Sequence, residues 1–376
     1  MSLQLDVYLK ELELLVNIDS GSRYPAGVRK VAEFFAEKFT KLGWQVQWLD
    51  LGEDVGPALK IVNRPADKYD LLVLGHMDTV FPEGTVAERP FKIVGERAYG
   101  PGVIDMKSGL LYAYYLAEQL QTEQLLDTAN ICLLFNSDEE ISSIYSRAVI
   151  EETAKNAAHA IVLEPARASG ANVYLRKGVG RYKLTFKGLA AHAGVNPQEG
   201  ASAIHEFAHW CTSLVQLNNP ETETTLNVGM ITGGSAANVV ADYAQAQIDI
   251  RIKYYREAEK IQAQLAKLQA QPLDNRVQVV VEGGLTRPPM ENTPGNQKLG
   301  AIADEVAASL GMKIDWVATG GGSDGSFTSA LGVPTLDTFG PVGGLGHGVG
   351  EYIDIPSIEP RFELLMGIVK KILVKD

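Results

Sequence analysis

Leu71-Leu72-Val73-Leu74-Gly75-His76-Met77-Asp78-Thr79-Val80 is the stretch whose reading decides the fold. Its apolar run reads as a buried strand, and the strand ends in a loop carrying His76 and, two residues later, Asp78. Open α/β sheets place their chemistry at the C-terminal edges of their strands. A carboxylate close to a histidine is a common way of orienting the imidazole toward a metal.

Working outward, the chain repeats this layout. Leu3 to Val16 and Val28 to Leu42 have helical spacing, and Gly43 ends the second helix. Trp44–Leu49, Ala58–Val62, Asn130–Phe135 and Ala160–Leu163 read as further strands. Gly100-Pro101-Gly102-Val103-Ile104-Asp105-Met106-Lys107-Ser108-Gly109 is a glycine-rich loop feeding a helix from Leu110 to Leu120. Such alternation predicts an α/β domain with a mixed, largely parallel sheet flanked by helices. Near Val173 the pattern changes. Strands at Val173–Arg176 and Arg181–Phe186, a helix at Ala201–Leu214, strands at Thr225–Ile231 and Ala244–Ile252, a helix at Glu257–Leu268 and a strand at Val277–Val281 predict a β-β-α-β-β-α-β module, an α+β unit with an antiparallel sheet. After Arg287-Pro288-Pro289 the first style returns, with a helix at Gln297–Leu310, a strand at Lys313–Val317, the loop Gly320-Gly321-Gly322-Ser323-Asp324 and a last helix from Ser357 to Leu373. The expected organisation is a catalytic domain in two parts, 1–176 and 289–376, with a second domain, 177–288, inserted between them.

The chain has 376 residues, 45% of them hydrophobic, and a formal net charge of −12, enough to bury one large core, or a core plus a second module. Lys and Arg form no long runs, so nucleic acid is not an expected partner. Cys132 and Cys211 are the two cysteines, which excludes a disulfide framework and a Cys-based zinc site. Cys132 lies in an apolar run and reads as a core thiol. The N-terminal segment, Met1 to Asn17, lacks a basic n-region and a continuous apolar h-region, and no stretch approaches a membrane span. A cytoplasmic protein with no membrane partner is the expectation.

Of the six histidines, His76 and His347 both lie in loops beside glycine. Carboxylates occur in the same setting. Asp105 precedes a helix, Asp138-Glu139-Glu140 follows the strand ending at Phe135, and Glu164 follows the strand ending at Leu163. An acidic run at a helix start also suits the helix dipole, and Glu164 alone could be a cap or a solvated turn. As a set, two histidines and several carboxylates at the strand ends of one sheet could meet in one cleft. Nitrogen and oxygen ligands without thiolate suit zinc, and also cobalt or manganese. A bridging carboxylate can hold two metals roughly 3.5–4 Å apart.

At this point the chain resembles the M20 metallopeptidases, a family that includes glutamate carboxypeptidase, acetylornithine deacetylase and succinyl-diaminopimelate desuccinylase. Gly75–Val80, Gly100–Gly109 and Asn136–Glu140 match its three motifs in order, and His347 sits where the last ligand is expected. The resemblance implies a zinc-peptidase-like catalytic domain holding two zinc ions, with cobalt or manganese as substitutes. It implies that His76 and Glu164 bind one metal, Glu140 and His347 the other, and that Asp105 bridges both. Asp78 would buttress His76. Glu139 would be the general base, taking a proton from metal-bound water and delivering it to the leaving amine. The inserted module would be a dimerisation or lid domain forming a homodimer. Within Gly188-Leu189-Ala190-Ala191-His192-Ala193-Gly194, His192 would steady the oxyanion across the dimer.

The chain looks most like the glutamate carboxypeptidases of that family. This implies substrate contacts from Asn238, Arg251 and Arg287, and from Gly321 and Ser323 in the glycine loop. An Arg fork suits a substrate carboxylate, although Arg251 could equally pair with Asp249 or Glu257, and Arg287 could be a linker charge. The implied substrate is a small peptide or N-acyl amino acid, hydrolysed to release a C-terminal amino acid such as glutamate. A deacylase acting on acetylornithine or succinyl-diaminopimelate, and a non-catalytic binding relative, are the alternatives. The chain also contains a literal H-E-x-x-H, His205-Glu206-Phe207-Ala208-His209, which on a helix would put both histidines on one face. It lies in the inserted module, away from the strand-end cluster, and reads as a surface or interface helix.

Overall fold

A computed structural model describes residues 3–374, so residues 1–2 and 375–376 of the expected catalytic parts lie outside the described residues. The chain divides into two units, one formed by Met1–Tyr174, Asn292–Ala318 and Ser323–Asp376, the other by Leu175–Glu291 and Thr319–Gly322.

The first unit opens with helices α1 (Leu5–Val16) and α2 (Pro25–Lys41). Pro25 starts α2 where its missing N–H costs nothing, and Gly43 follows its end with φ 86°. Val28, Val31, Phe35 and Phe39 recur at helical spacing and are buried. Strands β1 (Gln45–Leu49), β2 (Ala58–Val62) and β3 (Leu71–His76) follow, then a short helix α3 (Thr85–Glu88), a small hairpin β4 (Lys92–Val94) and β5 (Arg97–Tyr99), and helix α4 (Ser108–Thr122). Strand β6 (Ile131–Asn136), helix α5 (Arg147–Ala154) and strand β7 (Ala160–Val162) complete this stretch. Every residue of β3, β6 and β7 is buried, which is what a central strand covered on both faces requires. Gly109, at the start of α4, permits close packing, because a Cβ there would lie 2.1 Å from the Leu163 carbonyl oxygen.

Strand β8 (Asn172–Arg176) precedes the second unit's sheet, which contains β9 (Gly178–Lys187), β10 (Thr225–Gly233), β11 (Tyr243–Ile252) and β12 (Gln278–Arg287) in the order β10-β11-β9-β12, all antiparallel. Helices α6 (Ala203–Leu214) and α7 (Tyr255–Ala270) supply the crossovers, giving βαββαβ with the strand order of a ferredoxin-like sheet. Two expectations change here. The strand expected at Val173–Arg176 does not join this sheet and pairs instead with a later strand. The strand expected to end at Val281 runs on to Arg287, because Gly283 (φ 99°) and a bulge between Leu285 and Arg287 carry it past a glycine pair that reads as a stop.

The chain then returns to the first unit through α8 (Pro294–Ser309). Strand β13 (Trp316–Thr319) is the partner of β8 and begins three residues after the expected Lys313. Helix α9 (Gly325–Ala330), strands β14 (Thr335–Leu336), β15 (Gly343–Gly344) and β16 (Tyr352–Asp354), and helix α10 (Ile358–Leu373) close the chain. The six-stranded sheet has the order β1-β2-β6-β3-β7-β14. β6, β3, β7 and β14 run parallel, while β2 is antiparallel to both its neighbours. The fold is thus α/β with a mixed, largely parallel sheet and a separate antiparallel module. Among the described residues no helix is long and apolar enough to cross a membrane. Cys132 is in the core, and burial pushes its thiol up to about 12.

Candidate metal centre

Three adjacent parallel strands deliver the expected ligands to one edge. His76 ends β3 and stands opposite Asn136 of β6, which leads into Asp138-Glu139-Glu140; Leu74 stands opposite Val162 of β7, which leads into Glu164. The loop before α4 brings Asp105, and the peptide bond that follows Asp105 is cis. His347 arrives from the glycine-rich loop after β15 and lies in the left-handed region, φ 65°. A residue other than glycine persists there only where its surroundings hold it.

These residues meet as two triads that share Asp105. His76, Asp105 and Glu164 form one, and Asp105, Glu140 and His347 the other, with the donor atoms of each within 4.8 Å of one another. Asp105 Oδ1 is 3.2 Å from His76 Nε2, and its Oδ2 is 3.2 Å from His347 Nε2. Glu164 Oε1 is 3.5 Å from His76 Nε2, and Glu140 Oε2 is 3.0 Å from His347 Nε2. His76 is 1% exposed, and its other nitrogen, Nδ1, lies 2.9 Å from the Asp78 carbonyl oxygen and 3.4 Å from its carboxylate. That second contact fixes the ring and leaves Nε2 directed at the triad.

Charge balance here calls for a cation. Three carboxylates converge on two imidazoles, and the buried Glu140 Oε1 has no hydrogen-bond partner. Burial would pull the His76 proton off, yet the bonds to Asp105, Asp78 and Glu164 raise its pKa well above the usual value. His347 is pushed up to about 11 by Asp105 and Glu140. Burial pushes Glu140 up to about 7 against the pull of His347. Burial also opposes the charge on Asp105, but the two imidazoles hold it below the usual carboxylate range. The nitrogen and oxygen donor set, with a carboxylate oxygen left without a partner, fits a metal pair.

Asp78 does more than steady His76. Its Oδ2 accepts from Ser22 Oγ at 2.6 Å and from the Glu140 N–H at 3.2 Å, while Oδ1 accepts from the Glu139 N–H at 3.2 Å. Glu139 therefore sits on the same scaffold as the donor atoms.

Glu351 gave no signal in the sequence beyond being one acid after a glycine run. It is 2% exposed, with Oε2 accepting from the Gly102 N–H at 3.0 Å and Oε1 accepting from the Ile104 and Asp105 N–H groups at 2.9 and 3.1 Å. Burial pushes its pKa up to about 7 against those three bonds. It pins the loop that presents Asp105. Glu351→Gln sets an amide NH2 against one of these donors, and metal affinity is expected to fall about 10–100-fold, read by competition with a chromogenic chelator. Unchanged affinity would contradict the pinning role. Lys107 is buried too, its Nζ donating to the Ile18 carbonyl at 2.7 Å.

The remaining expected residues are each placed within their own unit. Ser323, in the first unit, is fully buried, and its hydroxyl donates to Asp337. In the second unit, His192 is exposed and its Nδ1 accepts from the Gly194 N–H at 3.1 Å, which leaves the ring proton on Nε2 as a donor. Asn238 is exposed in the neighbouring segment, its carbonyl accepting from the Ala193 N–H at 2.9 Å. The Arg251 fork holds both oxygens of Asp249, at 2.9 and 3.2 Å. Arg287 is 4% exposed at the end of β12 rather than in a linker, with its side chain beneath Gly322, and Gly321 is exposed. In the H-E-x-x-H segment, His205 and His209 are exposed while Glu206 is buried, accepting from Trp210 Nε1 at 3.0 Å and from the Asp274 N–H at 3.1 Å. Its carboxylate is spent on the module's own packing.

The model described as Peptidase family M20/M25/M40 matches residues 72–371. Carboxypeptidase G2 of Pseudomonas sp. (strain RS-16) is 29% identical over 373 residues, 96% of this chain and 88% of that protein. A succinyl-diaminopimelate desuccinylase of Polaromonas sp. (strain JS666 / ATCC BAA-500) is 27% identical over 322 residues, 80% of this chain and 74% of that one. Among solved structures, aminopeptidase PepT from Bacillus cereus ATCC 10987 shares the fold with a TM-score of 0.75 and 23% identity, over 98% of this chain and 99% of that one.

Proposed function

The chain belongs to peptidase family M20/M25/M40, whose members hydrolyse peptides and related amides, and from that premise we propose a dinuclear zinc-dependent amide hydrolase that releases a C-terminal amino acid, glutamate foremost, from a small peptide or N-acyl amino acid. The observation that carries the dinuclear reading is Asp105, with one carboxylate oxygen turned to each histidine. His76 and Glu164 would hold one ion, Glu140 and His347 the other, and Asp105 would bridge them. Zinc suits this donor set, as do cobalt and manganese. When bound, the pair supplies Lewis-acid polarisation of the scissile carbonyl and makes water a better nucleophile at neutral pH.

The chain's own groups would do the rest. Asp78 holds His76 so that Nε2 faces Asp105 and Glu164, where it would serve as a metal ligand. Glu139 accepts a proton on its carboxylate and returns it to the leaving amine nitrogen. His192 Nε2–H is assigned the role of donor to the oxygen that becomes negative. The substrate carboxylate is assigned to Asn238, Arg251, Arg287 and Gly321, and at Arg251 it would have to displace Asp249 from a fork already shaped to a carboxylate. Ser323 is assigned a substrate contact from the glycine loop. Homodimerisation is assigned to the second unit, where the edge strand β10 exposes Met230 and Ile231.

A hydrolysis screen of dipeptides and N-acyl amino acids with zinc, cobalt and manganese tests the substrate reading. Glutamate-terminal substrates are expected to be cleaved at least about tenfold faster than alanine-terminal ones, the effect of one added charge-assisted contact. Equal rates would defeat the glutamate assignment. The second reading, a deacylase of the desuccinylase kind, has the similarity to the Polaromonas protein in its favour and needs a cation facing the acyl group.

A further inference from the structure

Beside Glu140 a cavity of about 400 Å³ is walled by Tyr24, Val80, Phe81, Pro82 and Ile141. We propose that this cavity is the acyl subsite and that it selects an uncharged, apolar N-acyl group of several carbons. The proposal rests on the hydrolase reading above and deepens it.

The cavity has a ligand-sized volume and is bounded by three segments, around residues 21–24, 79–83 and 140–141. One carboxylate ties all three together. Asp78, at the root of the middle segment, accepts from Ser22 of the first and from the Glu139 and Glu140 N–H groups of the third. The Ser22 N–H also donates to the Thr79 carbonyl at 3.2 Å, and the Thr79 N–H to the Ser20 carbonyl at 2.9 Å. The cavity is therefore preformed, and the side chain that orients His76 also sets the cavity's position against Glu140. A group attached to a carbonyl at the metal centre has this apolar hollow next to it.

The lining selects against charge. Its acidic members are Glu83 and Glu140. Its one basic residue, Arg23, is exposed at the rim, where its Nη1 donates to the Tyr145 hydroxyl at 3.0 Å, which in turn donates to Asp54 at 2.9 Å. A succinyl carboxylate placed here would meet apolar walls and the Glu83 carboxylate, with Arg23 held at the rim by Tyr145. The free carboxylate of the leaving amino acid is excluded for the same reason. The acyl chain is thus the part of the substrate that fits the hollow beside Glu140.

The test uses the metal-loaded Glu139→Gln chain, whose turnover is expected to be slowed about 10²–10⁴-fold, titrated calorimetrically with N-acetyl-, N-succinyl- and N-(4-methylpentanoyl)-glutamate. The branched acyl group is expected to bind about 10–100-fold more tightly than acetyl, since its added carbons leave water, and succinyl no more tightly than acetyl. Val80→Trp fills the hollow from a position that is 40% exposed, and is expected to bring the branched-to-acetyl ratio below about threefold. Pro82→Trp, on the same exposed rim, serves if the first variant does not fold. Equal affinities for acetyl and branched acyl, tightest binding of succinyl, or a preference that survives the plug would overturn the proposal. Failure of the native chain to hydrolyse any of the three would strike the hydrolase reading instead, and the ratio of dissociation constants would still decide the pocket.

Discussion

Glu139→Gln is expected to lower kcat by about 10²–10⁴-fold, the usual contribution of a positioned general base, with metal content and melting temperature unchanged. The amide matches the carboxylate in shape but cannot take up a proton at neutral pH. Its backbone N–H still donates to Asp78, so the scaffold under His76 and Glu140 survives the change. Because Glu139 is not one of the donors in either triad, metal should remain bound. The contrast is Glu206→Gln in the H-E-x-x-H segment. Glu206 accepts from Trp210 and from the Asp274 backbone, so its loss is expected to cost about 1–3 kcal/mol of stability and little turnover. Steady-state kinetics and thermal melting of the two variants separate the assignments. The reverse pattern, activity lost with Glu206 and kept with Glu139, would move the chemistry to the second unit.

The second large effect belongs to Asp105→Asn. Asp105 is the one side chain common to both triads, with an oxygen for each. Asparagine keeps one oxygen and turns an NH2 toward the other position, where a donor repels a cation. On the dinuclear proposal one substitution would therefore weaken both metal positions, and it removes one of the negative charges that would favour them. The fall in metal affinity is expected to exceed the roughly 10–100-fold that follows loss of an outer hydrogen-bond partner, the effect assigned above to Glu351→Gln. Equilibrium dialysis with zinc, followed by activity at saturating metal, measures it. Two ions retained at native affinity would remove the bridge from the account.

The clustering of the proposed ligands was legible because the strands that carry them have strong signals. A strand covered on both faces must be apolar throughout, so β3 and β6 stand out as Leu71–Leu74 and Ile131–Phe135, and whatever follows them lies at the sheet's edge. His76, Glu140 and Glu164 could be placed that way before any contact was known. Their pairwise arrangement depended on β6, β3 and β7 being neighbours, an order local periodicity does not carry. Glu351 and Ser22 were invisible for a related reason. Glu351 reaches loop residues 246 to 249 positions away, and Ser22 reaches Asp78 across 56, so neither contact leaves a trace in local spacing. Short elements such as β4, β5, β14 and β16, each two or three residues, fall below the length at which alternation can be read. The end of β12 is hidden in the sequence because Gly283-Gly284 reads as a turn, while its positive φ and the nearby bulge are absorbed inside the sheet. The same glycine pair makes Arg287 read as a linker charge, whereas it is a buried strand residue.

Metal per chain, determined by elemental analysis after zinc saturation and removal of loosely held ions, bears most directly on the dinuclear centre. Two ions per chain are expected, one for each triad around Asp105. A value of one or zero, with the protein folded, would contradict it.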